Sequence, residues 1–159
     1  MAKIKRSQVM TFMNTTPSAA ATYSLIGEGV TGGSIAYNPQ VEEETYIHQD
    51  SATVTVESYS PKLSLEASAV AGDAVFEFID SLRVARAVLA AAQTDIVNVW
   101  AYETGGPAAY PAEKQNVSIQ IDEFGGEGGK SVKINYTVNF IGDPVVGTFN
   151  ATTRAFTAS

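Results

Sequence analysis

The chain contains no cysteine, and it has a single histidine and a single tryptophan among 159 residues. Without cysteine it forms no disulfide bond and offers no thiolate as a nucleophile or metal ligand. The histidine, His48, lies in a charged segment where no spacing of carboxylates predicts a metal site. Any Ser–His–Asp triad would also depend on His48. We therefore expect no catalytic residue, no metal and no cofactor, and we do not expect an enzyme.

Positive charge and long apolar runs are also scarce. Ten Lys and Arg residues stand against 17 Asp and Glu residues, which gives a formal net charge of −7. This balance argues against a protein that recognises nucleic-acid sequence, because such proteins usually carry a basic surface. It is compatible with a surface past which nucleic acid slides without binding. No apolar run approaches the roughly 20 residues of a membrane-spanning helix, so we expect no membrane association and a protein made in a cytoplasm.

One segment, residues 72–86, predicts a helix in a chain that otherwise shows strand patterns. Asp73 is a suitable N-cap, because its carboxylate can accept the free N–H groups of the first turn. An apolar stripe with helical spacing follows and must pack on a sheet. We expect the alanine-rich residues 87–92 to prolong this helix or to follow its end. The core-facing residues of the predicted helix, about 73–86, are Val75, Phe78, Ile79 and Leu82.

The rest of the chain predicts seven to nine strands. Apolar and polar residues alternate most clearly over 132–140 and again over 117–122. Residues 142–144, Gly-Asp-Pro, predict a turn that ends the first of these strands, and 147–157 predict a closing hairpin. We therefore expect a mainly β protein, a β-sandwich or barrel with one flanking α-helix, in a single domain over 21–159.

The polar faces of these two strands carry short uncharged side chains in place of the usual Lys and Glu. A strand with one buried face shows the other face to water. Lys133 is the only cation on either polar face, so we expect a neutral to acidic surface. The residues predicted to form it are Ser118, Gln120, Asp122, Asn135, Thr137 and Asn139.

Two further segments predict contacts between copies. Residues 1–20 have few large apolar side chains, so we expect an arm that becomes ordered on assembly, against a neighbouring copy. Residues 40–50 begin with charged residues and then carry Tyr46, Ile47 and His48. This segment is either a solvated loop or a projecting loop whose Tyr46 and Ile47 dock on a partner.

The order of five segments is similar to that of a known family: 23–30, 37–47, 50–59, 72–83 and 139–149. Together they resemble the major tail protein, or tail tube protein, of long-tailed bacteriophages and prophages. No single motif is diagnostic; the resemblance lies in the ordered set and extends over about 21–156. One departure is that the helix opens with Asp73-Ala74, where relatives often have Asp-Pro. Since proline merely suits the first helical position, the difference leaves the resemblance intact.

The resemblance implies a structural virion protein without a catalytic site. Six copies would form a ring, and rings would stack into a hollow tail tube, assembled in the host cytoplasm, through which phage DNA is ejected. Its partners would be further copies, the tape measure protein and the tail terminator, with only non-specific passage of DNA. The six polar residues would then face the lumen, and Tyr46, Ile47 and His48 would contact another subunit.

Two other interpretations remain open from the sequence. The chain could form the tube of a contractile tail, a tail-like bacteriocin or a secretion system, which particle length and a sheath would distinguish. It could instead be a β-barrel that binds a small apolar ligand. That alternative predicts a stable monomer with an enclosed cavity.

Overall fold

Antiparallel strands make up most of the structure, a computed structural model in which residues 1–103 and 105–159 are described. The mainly β class predicted from the sequence is confirmed. These residues contain ten strands, one more than the upper limit of the sequence estimate. The strands are β1 Val9–Asn14, β2 Tyr23–Leu25, β3 Val30–Ala36, β4 Pro39–Glu44, β5 Thr53–Tyr59, β6 Lys62–Ser68, β7 Gln93–Trp100, β8 Tyr110–Gly125, β9 Lys133–Asn150 and β10 Ala155–Ala158.

The main sheet has eight strands and curls on itself. Seven of them follow the order β2-β1-β7-β8-β9-β6-β3, and the eighth strand, β10, pairs with the C-terminal part of β9. Strands β4 and β5 form a separate two-stranded sheet. The long β8–β9 hairpin is the centre of the main sheet, because each of its strands also pairs with a further neighbour.

The one α-helix of the described residues, α1, spans Ala74–Ala85 and agrees with the sequence prediction. The Asp73 carboxylate accepts a hydrogen bond from the Phe76 N–H at 3.0 Å, which satisfies one of the free donors of the first turn. The helix ends because Arg86 adopts a left-handed conformation with φ 47°. The alanine-rich segment therefore does not prolong the helix; a separate 3-10 turn spans Leu89–Ala92.

The prediction of a strand-ending turn at residues 142–144 is wrong, because these residues form a bulge inside β9. Pairing with β8 continues through Ile141 and resumes at Val145. The Gln115 side-chain amide donates to the carbonyl oxygens of Ile141 at 2.6 Å and Gly142 at 3.0 Å. These bonds satisfy carbonyl groups that the bulge removes from the strand pairing. Glycine and proline favour a bulge as well as a turn, so the local sequence alone does not separate the two.

The curled sheet buries apolar side chains on both faces. On one face, Val75 and Ile79 of α1 are buried, while Phe78 and Leu82 are partly buried against the same cluster. Its buried members on the strands are Met13, Leu63, Leu65, Ala67, Ile96, Val117, Ile119, Ile134, Tyr136 and Val138. The second cluster consists of Phe12, Tyr23, Val97, Val99, Ala112 and Phe149.

Strand β1 belongs to both clusters, because Phe12 faces one and Met13 the other. It lies between β2 and β7 in the sheet of its own chain. Residues 1–7 before it are exposed. Strand β1 is therefore the segment of residues 1–20 that is paired within its own chain. That residues 1–20 become ordered on assembly stays a prediction.

Candidate assembly surfaces

The β4–β5 hairpin stands apart from the main sheet and is uncovered on both of its faces. Every residue of β4 is exposed, and so is every residue of β5 except Thr53. Residues 39–44, most of which the sequence placed in a loop, are thus a strand. An isolated two-stranded hairpin is marginally stable in water at best. Its exposed faces therefore indicate a segment that packs against something outside the single chain.

The strands of this hairpin carry an exposed apolar stripe. Val41 pairs with Val56, and Val54 lies two residues before Val56 in β5. These three valines are 49–60% exposed. Alternation along β5 sets Val54 and Val56 on one side, and no described residue of the chain buries these side chains. Exposed apolar stripes of this kind mark interaction sites.

The loop at the end of the hairpin brings the three predicted contact residues together. Ile47 is fully exposed and Tyr46 is 49% exposed. The His48 ring stacks on the Tyr46 ring, with 6.2 Å between centroids and an interplanar angle of 11°. The loop therefore presents one apolar side chain and one stacked ring pair at its tip, beyond a strand that carries three consecutive glutamates, residues 42–44.

The six predicted polar residues lie on one face of the β8–β9 hairpin, opposite the face covered by α1. Strand pairing sets Ser118 opposite Asn139 and Gln120 opposite Thr137. Paired residues point to the same side of a sheet, so these four share a face. We refer to this surface, with Asp122 and Asn135, as the polar face.

A chain of hydrogen bonds links four of these residues. The Asp122 carboxylate accepts from the Gln120 amide at 2.6 Å and from the Thr137 hydroxyl at 2.7 Å. The Asn139 amide donates to the Gln120 side-chain oxygen at 3.3 Å. Thr137 is only 6% exposed, whereas Gln120 and Asp122 are open to solvent. The polar face is thus a connected surface, and Thr137 is its covered member.

The neighbouring strands add charges to the polar face. Lys62 of β6 pairs with Asn139, and both Glu66 of β6 and Glu123 of β8 pair with Asn135. Lys62 is therefore a second cation beside Lys133 that the pattern within β8 and β9 did not show. Three carboxylates, Glu66, Asp122 and Glu123, outnumber these two ammonium groups. The surface is weakly acidic, with charges of both signs.

Two tyrosines retain their protons more strongly than usual. The Tyr23 hydroxyl donates to the Asp95 carboxylate at 2.6 Å. Burial, this hydrogen bond and the negative charge of Asp95 raise the pKa of Tyr23. Burial, together with the charge of Asp73, raises the pKa of Tyr136. Both hydroxyls are neutral at physiological pH; Tyr23 acts as a hydrogen-bond donor, and Tyr136 packs in the first apolar cluster.

The described residues offer no grouping of three or more His, Asp or Glu side chains that could hold a metal ion. Nor does the described part of the chain include a helix with the length and hydropathy needed to cross a membrane.

Comparisons with known proteins give structural neighbours and no sequence relatives. No protein-family model matches the chain, and no curated protein matches it. Among solved structures, the SPP1 tail tube matches with a TM-score of 0.70 and 14% identity, over 92% of this chain and 80% of that chain. The tail of an empty gene transfer agent particle, solved with C6 symmetry, matches with a TM-score of 0.66 and 13% identity, over 98% of this chain and 100% of that chain. Across nearly its whole length, the chain therefore has the fold of these tail tube subunits.

Proposed function

We propose that this chain is the subunit of a phage-type tail tube. Six copies form a ring, and rings stack into a hollow tube through which DNA leaves the particle. One observation carries the proposal: the fold matches tail chains over 92% and 98% of this chain, and one of those tails has C6 symmetry. The protein then acts by assembly in the virion tail and needs no catalytic site.

The hairpin supports this proposal because it needs a covering partner. Its stripe of valines and its tip residues, Tyr46 and Ile47, are exposed in the single chain. In a stack of rings, an adjacent subunit supplies the missing cover. The acidic residues 42–44 keep the same hairpin soluble before assembly, since charges on exposed strands oppose non-specific pairing.

The polar face supports the proposed channel. A wall that faces DNA must not hold it, because each contact between a Lys or Arg and a phosphate adds salt-dependent affinity. The polar face has more carboxylates than ammonium groups, and the chain carries −7 overall. In the proposed tube this face lines the lumen. The tape measure protein and the tail terminator are the further partners, and assembly takes place in the host cytoplasm.

Electron microscopy of the purified, concentrated protein tests the proposal. We expect six-fold rings and stacked tubes, and sedimentation that shifts to larger species as protein concentration rises. A monomer that persists at every concentration and salt tested would overturn the proposal. It would instead favour the alternative of a β-barrel that binds a small ligand.

A further inference from the structure

A groove opens beside the base of the β4–β5 hairpin, and its lining includes no residue of the polar face or of the hairpin tip. It has a volume of about 910 Å³ and lies between the end of β3, the ends of β5 and β7, and the bulge of β9. Aromatic side chains line it. Tyr37 and Tyr59 meet edge to face with centroids 6.4 Å apart, and the lining also includes the half-buried Trp100 and Phe140.

The same groove carries three carboxylates, those of Glu57, Glu113 and Asp143. The ion pairs between side chains in the described residues join Arg83 to Asp80 and Lys130 to Glu127. Neither pair involves the groove. Within the part of the chain that the structure describes, the carboxylates of the groove therefore form no ion pair with a Lys or Arg side chain. The groove is both apolar and acidic.

The chain itself contains a segment of complementary chemistry. Residues 3–5 are Lys-Ile-Lys, all exposed, and Ile4 is 57% exposed. In an extended segment, alternate side chains point to opposite sides. Ile4 can thus enter an aromatic groove while the long stems of Lys3 and Lys5 carry their ammonium groups to carboxylates at its rim.

In its own chain this segment makes its contacts outside the groove, although Val9 next to it pairs with Trp100 of the groove lining. The Arg6 guanidinium donates to the backbone carbonyls of Val9 at 2.7 Å and Gly33 at 3.3 Å. A short turn at Lys5–Gln8 is closed by a bond from the Gln8 N–H to the Lys5 carbonyl at 3.0 Å. None of these residues lines the groove.

We propose that residues 1–5 of a second copy dock in this groove, with Ile4 against the aromatic side chains and Lys3 and Lys5 beside the carboxylates. The inference rests on the proposed tube, because it names a contact that links neighbouring subunits. It extends the proposed function to a specific pair of surfaces.

Charge reversal on each side tests the contact. One variant carries Lys3→Glu and Lys5→Glu, and the other carries Glu57→Lys and Asp143→Lys, both at exposed positions. We expect each variant alone to keep the circular dichroism spectrum of the wild type and to lose tube formation. Mixing the two variants should restore tubes, because each segment then meets a groove of opposite charge. A variant with Glu28→Lys and Glu127→Lys has the same net charge as the Glu57→Lys, Asp143→Lys variant but leaves the groove unchanged, and it should still form tubes.

The mixing experiment distinguishes a second copy from the chain's own segment. If the segment docks in its own groove, the mixture fails, and only a single chain with all four reversals assembles; that result would overturn the proposal. Assembly of either variant alone at wild-type level would do the same. Failure of the wild type to form tubes would refute the proposed function, so the two failures are separable.

Trp100, the only tryptophan, gives an independent readout by its fluorescence. We expect its emission to shift to shorter wavelength when wild-type tubes form and to remain unshifted in either variant alone.

Discussion

At the scale of single residues, the Asp95 carboxylate joins three strands. It accepts a hydrogen bond from the Tyr23 hydroxyl of β2 at 2.6 Å and from the Asn14 amide of β1 at 2.9 Å, while Asp95 itself lies in β7. Hydrogen bonds to charged groups contribute about 1.5–3 kcal/mol each. This one side chain therefore fixes the short β2 at the edge of the main sheet.

Replacing Tyr23 by Phe tests this contribution. The variant keeps the ring in the second apolar cluster but removes the donor to Asp95. We expect the free energy of unfolding, measured by urea denaturation at pH 7, to fall by about 1.5–3 kcal/mol. Tyr59→Phe is the matched control, because its ring is 60% exposed, and it should change stability by less than ~0.5 kcal/mol. Equal effects of the two substitutions would refute the assigned role of Asp95.

The raised pKa of Tyr23 also predicts a response to alkaline pH. The folded state holds this proton more tightly than the unfolded state, where the pKa has its ordinary value of 10.0. The resulting stability is fully present below the unfolded pKa and is lost as pH rises through the folded pKa. Tyr136 contributes in the same direction. We expect the urea midpoint to fall above pH 10, and to fall less steeply in Tyr23→Phe; identical slopes would contradict this.

At the scale of elements, the β4–β5 hairpin is the part of the structure that lacks cover. Replacing both Tyr46 and Ile47 by Ser removes the apolar surface of its tip without touching the main sheet. We expect the circular dichroism spectrum of the unassembled protein to stay unchanged and tubes to disappear from electron micrographs.

A polar change in the same loop provides the control for this double variant. Asp50→Ser alters an exposed residue but removes no apolar surface, so tubes should form normally. Normal assembly of the Tyr46→Ser, Ile47→Ser variant would show that the tip does not dock on a neighbour.

At the scale of the whole molecule, the charge of the polar face is proposed to govern the passage of DNA. Gln120→Lys and Asn139→Lys place two ammonium groups on this face in every copy. Thr137 is unsuitable for this purpose, because it is buried and donates to Asp122. Particles with these subunits should build tails but eject DNA slowly at low salt and recover as salt rises, since phosphate contacts weaken with ionic strength.

The control for this experiment places charges of the opposite sign at the same two positions. Gln120→Glu and Asn139→Asp should eject DNA at the wild-type rate or faster. If the lysine variant ejects normally at low salt, either the polar face does not line the channel or its charge does not control passage.

The sequence by itself determined the features that depend on local patterns, namely the helix and the polar sides of individual strands. Asp73 and the apolar stripe behind it specified α1, because a cap and a period of 3.6 act within one element. The alternation in β8 and β9 placed Gln120 and Asn139 each on the polar side of its own strand, because a strand has a period of two. The mainly β class rested on such patterns, and the structure confirms it. The resemblance to tail tube proteins rested on the order of five segments, and the fold shared with solved tail tube chains agrees with it.

Only the tertiary structure decided how these elements pair and which surfaces stay open. Glycine and proline in 142–144 indicated a break, but a bulge formed because Gln115 of the facing strand satisfies the freed carbonyls. The period of two places Val54 and Val56 on the same side of β5, but among the described residues β5 pairs with β4 alone, and these valines remain exposed. The aromatic groove brings together distant segments that no local pattern connects. Burial depends on which residues meet across the chain, and a periodic sequence specifies which face is apolar without specifying what covers it.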